Sequence, residues 1–464
     1  MRFDRRQFLK SLAVGTGIAT SGTLGWLDHL RADETTVTTK RFVFFEFGGA
    51  WDTLLSLDPR DPTEFTEANV STTGIQLAHQ LLDTMYSANP LKTVANITFG
   101  PAVPQSFADL APKMCVGRGL TMNTLSHDVG RVFWSTGRTP AGANPTAPSV
   151  ACQIIDQIAA AAPAELGLIP NLSINADVFS TATDPALRPF QIRNANDMML
   201  ALKLGTEPLS ELILTELADE LAAYREASSL CDPAKLDRYG KMSLVRKSQE
   251  EVKAIVESGL SDKFNLTNVS DPEMLALAVH YGYTAVEQPA ALAAVAAQAL
   301  KLDMSRCVTV RFGNSFDDHD GTWSTDQPAD QEAAFDAIAK LYEDLAQTPS
   351  PSDPNKMLAD ETVIVMGSDF SRTPILNSTE GRDHWPVNSC AFIGGMPAGR
   401  VIGASTHYGM ESSAIDPMTG DPVPAETQGA VTMNPGHWMA SLLTNEGLSI
   451  ADLREEPLPC LSTS

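Results

Sequence analysis

Arg41-Phe42-Val43-Phe44-Phe45-Glu46-Phe47 is an apolar run broken by one glutamate and stopped by Gly48-Gly49. A run this continuous suits a strand buried on both faces of a parallel sheet, where neither side of the pleat meets water. Two later runs share its character: Cys307-Val-Thr-Val-Arg-Phe312 and Glu361-Thr-Val-Ile-Val-Met-Gly367. Between them residues 330–346 carry helical spacing, so the set reads as a strand–helix–strand unit. Residues 113–116 read as a short strand, 149–161 as a helix and 171–175 as extended. A final helix is expected near residues 437–443. The expected fold class is α/β with a mainly parallel central sheet.

The middle of the chain differs. Leu209, Leu212, Leu214, Leu217 and Leu221 fall on a helical period, and residues 245–256 and 290–302 continue it. Residues 206–302 are therefore expected as a helical insertion or cap. The flanking segments, 40–205 and 303–464, are expected to form one α/β core.

Asp4-Arg5-Arg6-Gln7-Phe8-Leu9-Lys10 precedes a weakly apolar stretch, residues 11–27, rich in Gly, Thr and Ala. A basic start before a short apolar region reads as an export signal, too short for a comfortable membrane span. The paired arginines with Phe-Leu-Lys behind them resemble a twin-arginine (Tat) signal, here residues 1–32. That resemblance implies a periplasmic or extracellular protein. It implies the Tat translocase as partner during export, and cargo that folds before it leaves. No later stretch is apolar for eighteen residues, so no further span is expected. The net charge of −24 repels nucleic acid and anionic lipid, which are bound through basic patches. The six cysteines are scattered without a Cys-x-x-Cys, against a cysteine-rich zinc site or a dithiol redox site. An oxidising compartment permits disulfides, but spacing does not give their pairing.

Ligands of open parallel sheets bind at the carboxyl ends of strands. After the first strand comes Asp52. After Cys307–Phe312 come Asp317, Asp318, His319 and Asp320, and after Glu361–Gly367 comes Asp369. Gly381-Arg382-Asp383-His384-Trp385 follows soon after. Each segment supplies a carboxylate and two supply a histidine, the donors a divalent cation needs. The bland reading of each piece is a tight turn, a solvated acidic loop or a surface ion pair. Together they predict that Asp52, Asp317, His319, Asp369 and His384 converge on a cation. Mixed Asp and His donors suit zinc or manganese better than calcium.

The same residues carry a family resemblance. Phe47-Gly48-Gly49, Ser126-His127, Phe316-Asp317-Asp318-His319, Ser368-Asp369-Phe370-Ser371-Arg372 and Gly381-Arg382-Asp383-His384-Trp385-Pro386 resemble the domain-of-unknown-function 1501 family. Gly394-Gly395 and Gly399-Arg-Val-Ile-Gly403 extend the match. Its members are largely exported bacterial proteins, distantly similar to alkaline phosphatases and sulfatases. The resemblance implies an alkaline-phosphatase-like fold, an α/β/α sandwich, with one or two metal ions at the strand ends. By that analogy Asp52 and Asp369 hold one ion near the nucleophile, and Asp317, His319 and His384 the other. Asp383 ligates as well, or accepts an imidazole N–H. Two ions clamp the attacking and leaving oxygens of a phosphoryl or sulfuryl transfer.

At the nucleophile the chain departs from that pattern. Phosphatases of the superfamily place Ser or Thr at a helix N-terminus, upstream of a Thr-Gly. Here Thr136-Gly137 is present, but His127 falls where the nucleophile belongs, with Ser126 beside it and Thr124 nearby. His127 is a metal ligand or a helix cap in the alternative reading. Ser126, His127 and Arg372 are the catalytic candidates. Cys231-Asp-Pro-Ala-Lys235 lacks the arginine of the sulfatase motif, which argues against a formylglycine sulfatase. His79 and His280 read as packing residues, and His437 as a helix start. The functional expectation is an exported metal-dependent hydrolase of a small anionic phosphate or sulfate ester. The rival is a non-catalytic envelope protein that keeps a hydrolase-like fold for binding or assembly.

Overall fold

The computed structural model describes residues 38–77, 90–203, 259–313 and 315–463. Eight strands form the central sheet, labelled in chain order. They are β1 (Arg41–Phe47), β2 (Met114–Thr121), β3 (Asn171–Ile174), β4 (Phe190–Ile192), β5 (Cys307–Arg311), β6 (Thr362–Ser368), β7 (Val387–Ile393) and β8 (Arg400–Ile402). Their order across the sheet is β8-β2-β7-β6-β1-β5-β3-β4. The opening run is the middle of the sheet: β1 lies parallel to β5 and β6, with Phe42 opposite both Cys307 and Val363. Within this sheet β7 alone runs against its neighbours, antiparallel to β2 and β6. The strand expected at Cys307 thus rejoins the sheet of residues 42–47.

The pleat of β1 sends alternate side chains into two cores. Val43, Phe45 and Phe47 join one, Phe42 and Phe44 the other, and all five are buried. Among the described residues the helices of eight or more residues are α1 (His127–Thr136), α2 (Val150–Ala161), α3 (Ala195–Leu202), α4 (Pro272–Tyr281), α5 (Pro289–Lys301), α6 (Trp323–Gln347) and α7 (Pro435–Asn445). Apolar residues of α5 and α6 fill the first core, and those of α1, α2 and α7 the second. The chain is a three-layer α/β/α sandwich. Each buried aromatic or aliphatic side chain contributes about 1.5–3 kcal/mol relative to exposure, so covering both faces of β1 anchors the fold.

Two elements differ from their sequence reading. Residues 259–302, the described part of the segment expected as an insertion, are helical where regular. Yet α5 lies on the sheet: Ala291 to Leu300 are all buried, and the small alanines let it pack closely between sheet and α6. Helix α6 begins at Trp323 instead of residue 330, with Pro328 inside it. Proline in a helix removes a hydrogen bond four residues back. Here that is the Ser324 carbonyl in the first turn, so the break the proline suggests does not occur. Residues 1–32, 206–258, His79 and Cys231 lie outside the described residues. Cys115, Cys152, Cys307, Cys390 and Cys460 are buried free thiols.

The sheet's upper edge collects the candidate residues. The loops after β1, β2, β5 and β6 leave from carboxyl ends. Because β7 is antiparallel, the residues before it, Asp383 and His384, arrive at the same edge. Helix α1 approaches the end of β6 more closely than a side chain permits. A Cβ on Gly130 would lie 2.2 Å from the Asp369 carbonyl oxygen, and one on Gly367 2.2 Å from Trp134. This contact carries His127, the first residue of α1, to Asp369.

Candidate metal centre

Three imidazoles from three loops meet at this edge. His127 Nε2 lies 3.0 Å from His384 Nε2, and His319 Nε2 also lies 3.0 Å from His384 Nε2. Asp317 Oδ1 stands 3.2 Å from His127 Nε2, 3.0 Å from His319 Nε2 and 3.5 Å from His384 Nε2. Four donors bound tetrahedrally at about 2.0–2.1 Å from one ion stand about 3.3 Å from one another. The spacings of His127, Asp317 and His384 suit a shared cation, their donor atoms all lying within 4.8 Å of one another, and His319 Nε2 adjoins two of the three.

The opposite nitrogens explain the ring orientations. His127 Nδ1 is 2.6 Å from Asp369 Oδ2, and His319 Nδ1 is 2.9 Å from Asp383 Oδ1. His384 Nδ1 is 2.7 Å from the Leu125 carbonyl oxygen. Carboxylates and carbonyls only accept, so each Nδ1 carries the proton and each Nε2 lone pair faces the cluster. Ligand histidines are held in this way, by an outer acceptor on the second nitrogen.

Charge follows the geometry. Burial works against the Asp317 carboxylate, but the Arg372 hydrogen bond and the charges of His127, Arg372 and His319 bring its pKa down to about 2. Burial also works against a charged His127. The hydrogen bond to Asp369, with the charges of Asp369 and Asp317, outweighs it and raises the imidazole pKa. His384 moves the other way, lowered by burial and by the charges of His127, Arg372 and His319. Asp383 is lowered, chiefly by its hydrogen bond from His319.

The expected residues divide into groups. Asp317, His319 and His384 converge as the sequence predicts. His127, a catalytic candidate with metal ligation as its alternative, joins them, its Nε2 3.0 Å from His384 Nε2 and 3.2 Å from Asp317 Oδ1. Asp369, expected as a ligand, meets His127 Nδ1, and Asp383 accepts the His319 imidazole N–H, one of its two expected roles. Asp369 Oδ1 is also taken, by the Ala50 amide at 2.8 Å and the Ser368 hydroxyl at 2.8 Å. Asp52 does not join them. It is 1% exposed, its Oδ1 caps Leu54 N at 3.0 Å, and its Oδ2 meets Trp323 Nε1 at 3.0 Å and Arg382 Nε at 3.1 Å. A carboxylate already paired with a buried guanidinium, its pKa raised chiefly by burial, acts as a counter-ion inside the fold. Among the described residues, the group of His, Cys, Asp or Glu ligand atoms that all lie within 4.8 Å of one another is His127, Asp317 and His384.

Ser126 is the N-cap of α1, exposed, with a side chain that makes no capping hydrogen bond. Its hydroxyl therefore stands free beside the cluster ligand His127. Arg372 has a fully buried side chain that donates to backbone carbonyls and to Asp317 Oδ1, with Nη1 3.3 Å from His319 Nε2. Asp318 carries a signal the sequence reading set aside as a solvated loop. Burial, then the charge of Asp326, pushes its carboxyl up to about 6. His437 is a helix start as expected, its Nε2 3.4 Å from Glu455. His280 packs with its Nε2 2.9 Å from the Lys340 carbonyl.

No curated protein matches the chain. A family model described as protein of unknown function (DUF1501) matches residues 39–421, a span that includes all eight sheet strands and all four residues of the cluster. The chain belongs to that family.

Proposed function

We propose that the protein is an exported metal-dependent hydrolase of phosphate or sulfate esters, resembling the alkaline phosphatase superfamily, with one divalent cation held by His127, Asp317, His319 and His384. The observation that carries this is that His384 Nε2 lies 3.0 Å from Nε2 of both His127 and His319, and Asp317 Oδ1 3.0–3.5 Å from all three, with every Nδ1 engaged by an acceptor. Lone pairs at that distance repel, and a cation removes the repulsion. Three imidazoles and one carboxylate favour zinc, with manganese next. A cation there would polarise an ester oxygen and stabilise the charge that builds during displacement.

The ligand side chains remain open to solvent, His319 by 44% and Asp317 by 40%, so a small anionic ester can approach. Ser126 offers a hydroxyl at a helix N-terminus, where backbone N–H groups favour an anion. On this reading the hydroxyl attacks the ester's phosphorus or sulfur, losing its proton to a base while the P–O or S–O bond to the alcohol breaks and the alcohol leaves protonated. Water then frees the anion from Ser126. Asp318, between Asp317 and His319 in the chain, is the carboxyl suited to proton transfer near neutral pH. The Arg5-Arg6 signal supports a periplasmic or extracellular location, reached through the Tat translocase.

Elemental analysis of purified protein should find about one zinc or manganese per chain. A screen of aryl phosphates and aryl sulfates should find turnover that Ser126→Ala abolishes while the metal stays bound. Metal without turnover on any ester supports the second reading, a non-catalytic envelope protein with a metal-stabilised fold. That reading is favoured by one feature: among the described residues no hydrogen bond joins Ser126 Oγ to an imidazole or carboxylate. Export that persists in a strain lacking the Tat translocase would sink the assignment of location.

A further inference from the structure

Arg372 touches every loop that builds the cluster except the one carrying His127. Its Nε donates to the Ala50 carbonyl at 2.9 Å, and one Nη donates to the Gly49 carbonyl, both in the loop after β1. The same Nη2 reaches the Phe316 carbonyl at 2.8 Å and Asp317 Oδ1 at 2.7 Å, in the loop after β5. Nη1 meets the Arg382 carbonyl at 3.2 Å, beside Asp383 and His384, and stands 3.3 Å from His319 Nε2. Arg372 itself follows β6 and pairs with His384 in a two-residue ladder. Its side chain is 0% exposed. A guanidinium is a rigid planar fork of five donors, so it fixes several acceptors at once where an ammonium fixes few.

We propose that Arg372 is the positioning residue of the metal centre: it fastens the strand-end loops and aims Asp317 Oδ1 at the cation, without contacting substrate. The inference rests on the single-cation reading of the cluster. Two effects oppose each other. A guanidinium repels a nearby cation, so removing it relieves a like charge. It also orders the loops that deliver Asp317, His319 and His384, and its charge is already faced by Asp317 and four carbonyl oxygens. Ordering wins, because ligands that must be gathered from separate loops bind a cation only after that entropy is lost. Outer partners of ligands commonly change affinity by about 10- to 100-fold when removed.

The test is zinc affinity of the full-length mature protein, read by chelator competition. Cobalt absorption of each variant reports coordination number. Arg372→Lys keeps the charge and loses the fork. A fall in zinc affinity of about tenfold or more, with altered cobalt bands, is expected. Unchanged or tighter binding in Arg372→Lys overturns the proposal. In the Asp317→Asn background Arg372→Lys should cost less than in wild type, because part of its effect passes through that carboxylate. Full additivity in this cycle overturns the Asp317 link. A crystal structure of zinc-loaded wild type gives a readout that needs no variant. Arg372 should keep its carbonyl partners and Asp317 should ligate through Oδ1, and an Arg372 turned to solvent overturns the proposal. Wild type that binds no zinc or manganese would sink the hydrolase reading and this one together. Wild type that binds zinc with an indifferent Arg372 would sink this one alone.

Discussion

His127 Nε2 and His384 Nε2 stand 3.0 Å apart although neither has a proton to share with the other. Their Nδ1 atoms are committed to Asp369 and to the Leu125 carbonyl. Two neutral imidazoles so tied present lone pair to lone pair. One ring must take a second proton, or a cation must lie between them. Against burial, the bond to and charge of Asp369 raise the His127 pKa, while burial and neighbouring charges lower that of His384, so His127 is the ring that takes a second proton more readily. Cation binding should therefore displace a proton from His127.

The first prediction follows from that competition. His127→Ala, His319→Ala and His384→Ala should each remove most zinc binding and the stabilisation that zinc confers on the native state. Asp369→Asn and Asp383→Asn should weaken zinc by about 10- to 100-fold while leaving stoichiometry near one. Isothermal titration in two buffers of different ionisation enthalpy should show proton release on binding near pH 7 in wild type, and less in His127→Ala. Equal zinc affinity in wild type and His384→Ala would end the shared-site argument.

Asp52 provides the contrast. It was expected among the ligands, yet its carboxylate is locked to Arg382 and Trp323. Asp52→Asn should leave zinc affinity within about threefold of wild type and destabilise the fold by about 3–5 kcal/mol, since a buried guanidinium loses its counter-charge. Chemical denaturation of the zinc-free protein beside a zinc titration separates the two. A large loss of zinc with unchanged stability would return Asp52 to the metal centre.

A second buried ion group sets an acid limit. Asp58 is 3% exposed, with Arg60 Nη1 at 2.8 Å and Arg118 Nε at 3.8 Å, and it accepts from the Ser405 hydroxyl. Burial works against its charge, but the arginines and hydroxyl together hold its pKa below the ordinary value. For a depressed carboxyl the unfolded chain binds protons first as pH falls. Its stabilising contribution is thus complete above the ordinary carboxylate pKa near 4 and is lost as pH drops through the lower folded value. Urea midpoints of wild type should fall more steeply than those of Asp58→Asn below about pH 4. Parallel curves for the two proteins would contradict this.

The strands were legible because their apolar runs have no other use. Residues 41–47, 307–312 and 361–367 cannot face water on either side, and all three lie at the centre of the sheet. Being buried on both faces, they also order themselves as neighbours. The strand before His127 was read as 113–116 but spans Met114–Thr121. Gly117, Arg118 and Gly119 dilute its apolar pattern. Gly117 is required because a Cβ there would lie 2.4 Å from Trp438. With that strand shortened, His127 did not register as a residue at a strand end. Ligands and their outer partners were confused for a different reason. Asp383 and His384 are adjacent, and nothing in their order tells that His384 Nε2 faces His127 and Asp317 while Asp383 meets the outer nitrogen of His319. That is decided by β7 running antiparallel, which no local pattern records. Asp52 was misread because its partner Arg382 lies 330 positions away, joined only through the fold.

The last prediction concerns the spacing between helix α1 and strand β6. Gly130 sits one turn after His127, and an added Cβ would fall 2.2 Å from the Asp369 carbonyl oxygen and 2.9 Å from its carbonyl carbon. Backbone atoms cannot rotate aside, so the helix must move. Alanine favours a helix over glycine by about 1 kcal/mol, but overpacking a close contact costs about 1–3 kcal/mol. The net effect on stability should be modest. The effect on the centre should be larger, because the shift lengthens the 2.6 Å bond between His127 Nδ1 and Asp369 Oδ2 and carries Nε2 away from His384. Gly130→Ala should lower zinc affinity about tenfold or more, comparable to Asp369→Asn, since both loosen the same ring. Asp128→Ala, on the exposed side of the same turn, should not. Combining Gly130→Ala with Asp369→Asn should cost little beyond either alone, because each acts through one hydrogen bond. Wild-type zinc affinity in Gly130→Ala would show that the close packing of α1 on β6 does not set the position of His127.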